Sequence, residues 1–106
     1  MIEREKDIEA KLVQMVRAHG GLCPKWVCPG WAGVPDRIIL LPGGRVIFAE
    51  LKRPKGGTVA ARQRWWGRKL MELGFAHFVV YNRHDIDTLQ RWIRAAQKAN
   101  EEDGTD

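Results

Sequence analysis

Glu50 and Lys52 stand two residues apart at the end of an apolar, β-branched run, Arg45–Leu51. At the period of a strand both side chains leave the same face, which they share with Val46 and Phe48, so a charged pair ends an otherwise apolar row. Asp36 follows Pro35 at the mouth of a second such run, Arg37–Leu41. If the two runs pair as a hairpin about Pro42-Gly43-Gly44, Asp36 falls opposite residue 50 or 51. Two carboxylates so close repel unless a cation lies between them. Mg²⁺ takes oxygen ligands and keeps several waters, with one or two carboxylates from the protein. Asp36 and Glu50 fit that demand, and the backbone carbonyl of Leu51 is a third oxygen. A cation there activates water for attack on a phosphoryl group, and Lys52 can hold that water in line or offset transition-state charge. An E-x-K triplet or a P-D dipeptide alone says almost nothing; their pairing across a hairpin carries the weight.

Two helices must bring the remaining polar groups. Residues 3–19 read as a first helix closed by Gly20-Gly21. Ile2, Ile8, Leu12, Val13, Met15 and Val16 occupy one arc of its wheel, and Glu5 and Glu9 fall inside that arc. A carboxylate on a core-facing stripe is costly unless it bends out to water, pairs with an arginine or meets a cation. Val59 to Leu73 reads as a second helix with Val59, Trp66, Leu70 and Leu73 on its stripe. Gln63 lies within that stripe, either as a buried amide bonded to backbone or as an orienter of water or metal. Arg62, Arg64, Arg68, Lys69 and Trp65 lie off it, which suits contact with phosphate and base.

Around these, Leu22 to Val27 is expected as a short strand, Pro29 to Pro35 as a Gly/Pro loop and Phe75 to Tyr81 as a further strand. Asp85 is expected to cap a third helix, Ile86 to about Gln97, with Ile86, Leu89, Ile93 and Ala96 on one stripe. The order α-β-β-β-α-β-α predicts an α/β sandwich around a small mixed sheet, a hairpin followed by a parallel crossover. Residues 1–98 are expected as one domain and 99–106 as a disordered acidic tail.

The chain has 106 residues, enough for one core without disulfide staples. Four of its thirteen acids lie in the last six residues, leaving nine against eighteen bases in the first 100. From Lys52 to Lys69 there are seven bases (Lys52, Arg53, Lys55, Arg62, Arg64, Arg68, Lys69) and no acid. A field of one sign draws in polyanions. The charged N-terminus lacks the apolar stretch of a secretory leader, and no run reaches the roughly 20 apolar residues of a membrane span. A cytoplasmic setting is expected, with no membrane partner. Cys23 and Cys28 are then expected as reduced packing residues.

Glu9, G-V-P-D at Gly33 to Asp36, E-L-K at Glu50 to Lys52 and Gln63 together resemble the PD-(D/E)xK nuclease superfamily. Within it the chain is most similar to the stand-alone VRR-NUC (virus-type replication-repair nuclease) proteins. The likeness rests on I-E-A-K-L-V in the first helix, P-G-W-A-G-V-P-D-R, L-P-G-G-R-V-I-F-A-E-L-K and R-Q-R-W-W…L-G-F, and runs from about residue 5 to 95 in order and spacing. It implies a restriction-endonuclease-like fold and Mg²⁺- or Mn²⁺-dependent DNA cleavage, with no small-molecule cofactor. It makes Asp36 and Glu50 metal ligands and Lys52 the catalytic lysine. Glu9 becomes the helix-borne acid, with Glu5 a candidate for the same role, and Gln63 the helix-borne glutamine. Small phage and bacterial members resemble resolvases of four-way (Holliday) junctions, which implies DNA repair and a homodimer.

A dimer also has a physical rationale, since cutting two strands symmetrically takes two sites at fixed separation. Trp26 and Trp31, in or beside the loop before Asp36, can pack in such an interface, stack on unpaired bases or cover the edge of the core. Two alternatives stand beside the junction endonuclease: a metal nuclease with flap, nick or sequence preference, and a non-catalytic DNA-binding module. The second is disfavoured because every group that hydrolysis needs is present.

Overall fold

The computed structural model describes residues 4–53 and 56–103. Six elements follow in order: α1 (Glu5–Ala18), β1 (Arg37–Leu41), β2 (Arg45–Leu51), α2 (Ala61–Glu72), β3 (Ala76–Val80) and α3 (Arg83–Asp103). β2 is the central strand. It runs antiparallel to β1, with Arg37 opposite Ala49 and Leu41 opposite Arg45. It runs parallel to β3, with Glu50 beside Val79 and Leu51 beside Val80. The sheet is therefore mixed, as the hairpin and crossover signatures require.

Alternation along β2 divides its side chains between two layers. Ile47, Ala49 and Leu51 join Ile39, Leu41 and Val80 in the main core, against Ile8, Leu12, Met15 and Val16 of α1 and Ile86, Leu89 and Ile93 of α3. The opposite face carries Phe48 and Glu50 and looks toward α2 and a run of aromatic rings. Phe48 lies 5.1 Å from Trp26 and 5.4 Å from Phe75 between ring centroids. Glu50 stands among the buried side chains as the only charged one of the described residues.

The ends of α1 follow from its sequence. Asp7 accepts the Arg4 backbone N–H at 3.3 Å in the first turn. At the far end Gly20, with φ 82°, donates to Arg17 and Gly21 donates to Val16, a Schellman closure that needs the left-handed backbone at Gly20. Cys23 is buried and Cys28 partly so, and both are free thiols. Burial pushes the Cys23 thiol up to about 11, with Arg37 pulling the other way.

Four expectations change. Leu22 to Val27 makes isolated bridges, Leu22 with Leu40 and Lys25 with Arg37, and forms no strand, because Pro24 between the two bridges has no N–H to continue the ladder. The third helix starts at Arg83, not Ile86: Asn82 is its cap, accepting the Asp85 N–H at 3.0 Å, and Asp85 reaches back to the Tyr81 N–H at 2.8 Å. That helix continues through Asp103, so residues 99–103 are helical where a disordered tail is expected; the stretch, Ala-Asn-Glu-Glu-Asp, holds no Gly or Pro to stop it, and residues 104–106 lie outside the described ones. The second helix ends at Glu72, which leaves Leu73 61% exposed, and the buried stripe of α2 consists of Gly67 and Leu70. Gly67 is there for lack of room: a Cβ would stand 2.9 Å from the His77 ring.

Candidate active site

The hairpin register sets Asp36 one residue beyond the Arg37–Ala49 pair, opposite Glu50. Its Oδ2 accepts the backbone N–H of Leu51 at 2.7 Å, which ties the carboxylate to the C-terminal end of β2. Lys52 extends the parallel ladder by donating its N–H to the Val80 carbonyl at 3.0 Å. The E-L-K segment is thus held as strand on both sides, and catalytic groups in open α/β sheets concentrate at such strand ends.

Glu50 is 1% exposed, and its Oε2 has no hydrogen-bond partner. Its other oxygen, Oε1, accepts from Gln63 Nε2 at 2.8 Å and lies 3.8 Å from Lys52 Nζ. Burial, and after it the nearby Asp36 carboxylate, push the Glu50 carboxyl up to about 8, Lys52 pulling it down. A buried carboxylate with an unmet oxygen beside a second carboxylate is the arrangement that a divalent cation resolves.

Gln63 is positioned from both ends. At the first turn of α2 its Oε1 accepts the Ala60 backbone N–H at 3.0 Å. Since a backbone N–H only donates, the amide oxygen must sit there, and the NH₂ is left facing Glu50. The glutamine on the α2 stripe is therefore a half-capping residue and a partner of Glu50 at once.

Glu9 meets an arginine. Arg37 Nε and Nη2 lie 3.1 and 3.0 Å from Glu9 Oε2, and Arg37 Nη1 donates to the Cys23 carbonyl at 2.6 Å. Glu9 nevertheless lines a cavity of about 250 Å³ together with Glu5, Asp36 and Leu51. Of the two helix acids, Glu5 is the one whose charge reaches Glu50. Arg37 was not legible as a site residue. Its one signal is its place beside Asp36, on a strand face opposite to its neighbour's.

Of the basic set, Arg53, Arg62, Arg64, Arg68 and Lys69 are exposed, and Lys55 lies outside the described residues. Arg64 Nη1 donates to the Val59 carbonyl at 2.6 Å, and Lys69 lies 3.9 Å from Glu72. The loop before Asp36 is clamped to α2. Trp66 Nε1 donates to the Ala32 carbonyl at 3.1 Å, and Gly33, at φ 84°, approaches so closely that a Cβ would stand 2.6 Å from Arg62 Cβ. Trp26 and Trp31 both contact Trp66, at 5.9 and 5.5 Å between centroids, so Trp26 covers the edge of the β2 aromatic face.

Among the described residues, no three His, Cys, Asp or Glu side chains converge as a metal cage. Asp36 and Glu50 do converge, with Leu51 beside them in the cavity wall. Two carboxylates with water completing the shell is how Mg²⁺ is ordinarily held, so the donor set fits a hard divalent ion.

No family model matches the chain. It is 53% identical over 86 residues, 81% of its own length and 90% of the relative's, to a protein of Acyrthosiphon pisum secondary endosymbiont phage 1 named "Putative nuclease p44". Its fold matches a solved structure described as a VRR_NUC domain with TM-score 0.76 and 27% identity, over 80% of this chain and 91% of that one.

Proposed function

Since the chain belongs to the VRR-NUC nuclease family, we propose that it is a Mg²⁺- or Mn²⁺-dependent deoxyribonuclease that cuts branched DNA, four-way junctions above all, as a homodimer. The observation that carries the metal-dependent reading is Glu50: a buried carboxyl, with one oxygen unmet, facing Asp36. Asp36, Glu50 and the Leu51 carbonyl would hold the cation. When bound, it would supply activation of water and offset charge building on the phosphoryl group.

The chain's own residues do the rest. Lys52, close to Glu50 Oε1, orients the attacking water or stabilises the developing negative charge. Gln63 holds the Glu50 carboxylate in one rotamer, so its free oxygen stays aimed at the ligand position. Glu9 works through Arg37, which fixes the strand from which Asp36 projects; Glu5 supplies outer negative charge. Arg53, Lys55, Arg62, Arg64, Arg68 and Lys69 take DNA phosphates and fix the register of the strand to be cut. Bacterial cytoplasm, or that of a phage-infected host, is where such a substrate would be met.

The deciding experiment is cleavage of labelled four-way junction, flap, nicked and linear duplex DNA with Mg²⁺, Mn²⁺ or chelator, by the native chain and by Glu50→Ala. Paired symmetric cuts in the junction, lost with chelator and lost in the variant with binding retained, are expected. Cutting of flaps or linear duplex instead would replace the substrate but keep the chemistry. Intact binding with no cutting under either metal would make the non-catalytic DNA-binding reading the better one.

A further inference from the structure

A second cavity, of about 200 Å³, opens next to the candidate active site between Gly30, Trp31, Ala32, Arg62, Trp65 and Trp66. Trp66 is its floor, locked by its bond to the Ala32 carbonyl. Trp31 and Trp65 stand against that floor at 72° and 90°, with centroids 5.5 and 5.3 Å from it. Both are well exposed, at 58% and 46%. Rings that served only to cap the core would be turned in, as Trp26 and Trp66 are. Here two exposed indoles border an open cavity that Arg62 also lines.

We propose that this cavity takes one unpaired nucleobase of the DNA, so that the enzyme selects substrates offering an unstacked nucleotide beside the cut. The proposal rests on the nuclease reading above and names the feature of the substrate that this site recognises. Three observations converge on it. A flat aromatic ligand stacks on indole faces whatever its identity, and a guanidinium adds cation–π attraction. The helix that carries Trp65 also carries Arg62, Arg64 and Arg68, with no acid from residue 52 to 69, so the occupant belongs to a polyanion. The placement is also right. Trp65 and Trp66 follow Gln63 by two and three residues, roughly 3–5 Å of helical rise, and Gln63 holds Glu50. Trp31 sits five residues before Asp36 on a loop that Gly33 presses onto Arg62. A base in the cavity therefore belongs to a nucleotide close to the one being cut. Fully paired duplex offers no such base, whereas the centre of a junction, a flap base or a gap does.

The test uses the full chain in chelator, where nothing is cut, and duplex DNA carrying 2-aminopurine either fully paired or unpaired at a one-nucleotide gap. The expected result is quenching of the unpaired 2-aminopurine on binding. Trp31→Ala and Trp65→Ala should remove the quenching and weaken binding to gapped DNA about tenfold more than binding to paired duplex. Trp31→Phe and Trp65→Phe keep a flat face and should restore most of both signals, which separates stacking from loss of fold. Equal losses on the two DNAs, unchanged quenching in the alanine variants, or phenylalanine variants as weak as alanine would each overturn the proposal. Failure of the nuclease reading shows elsewhere, as absence of metal-dependent cleavage by the native chain.

Discussion

At the scale of the residue, Glu50 concentrates the unusual physics of the chain. Its carboxyl is raised from the ordinary 4.5 to about 8 by burial and by Asp36. Between those two values the folded chain holds a proton that the unfolded chain has released, so the contribution of Glu50 to stability falls as pH rises across that window. In chelator the melting temperature should therefore decline from pH 5 to pH 8, and Glu50→Gln should flatten the decline. Mg²⁺ favours the carboxylate, so it should raise the melting temperature of the native chain more at pH 8 than at pH 5. His77, whose pKa burial lowers, acts in the opposite sense at the acid end, so the comparison with the variant isolates Glu50. A variant that declines as steeply as the native chain would assign the slope to other groups. Much of this site was legible beforehand. Strand parity put Glu50 and Lys52 on one face, and the hairpin put Asp36 opposite residue 50. What was hidden is the bond from Gln63 to Glu50 and the pairing of Glu9 with Arg37, because a helix wheel gives direction but no partner 13 or 28 residues away.

At the scale of the element, the strands were more readable than the helix ends. β1 and β2 have the boundaries that Pro42-Gly43-Gly44 and the β-branched runs imply. The start of α3 was missed because Asn82, the residue that caps it, precedes a polar first turn with no apolar period to mark it. The bridges at Leu22 and Lys25 look like a strand in composition, but Pro24 interrupts them. The joint between the loop and α2 had no signature at all beyond a glycine. Gly33→Ala tests it: the new Cβ meets Arg62 and the backbone is held at φ 84°, so a loss of about 1–3 kcal/mol in urea unfolding is expected. The same substitution should disturb both cavities that the loop borders. A fall in stability of no more than a few tenths of a kcal/mol would show that the loop can lift from α2 at little cost.

At the scale of the whole molecule, charge and topology act together. The exposed bases of residues 52–69 lie on α2 and the segment leading to it, whereas α1 and α3 pack together on the other side of the sheet. DNA affinity should fall steeply with salt, with a slope of log K against log salt of roughly −3 to −4 if four or so phosphates are neutralised. Fluorescence anisotropy between 50 and 200 mM salt would measure it, the expected loss of affinity being roughly a hundredfold. A flat response would remove this face as the contact. The topology has a consequence in time as well. The bonds that line up the candidate site, Leu51 to Asp36 and Gln63 to Glu50, span only 15 and 13 residues. The seam between the two ends of the chain, His19 to Gln97, spans 78. Closing a loop costs more entropy the longer it is, and contacts near in sequence form sooner. On a growing or refolding chain, the hairpin and crossover that bear the candidate site can therefore assemble first, and docking of the last helix onto the first completes the core on the other face of the sheet.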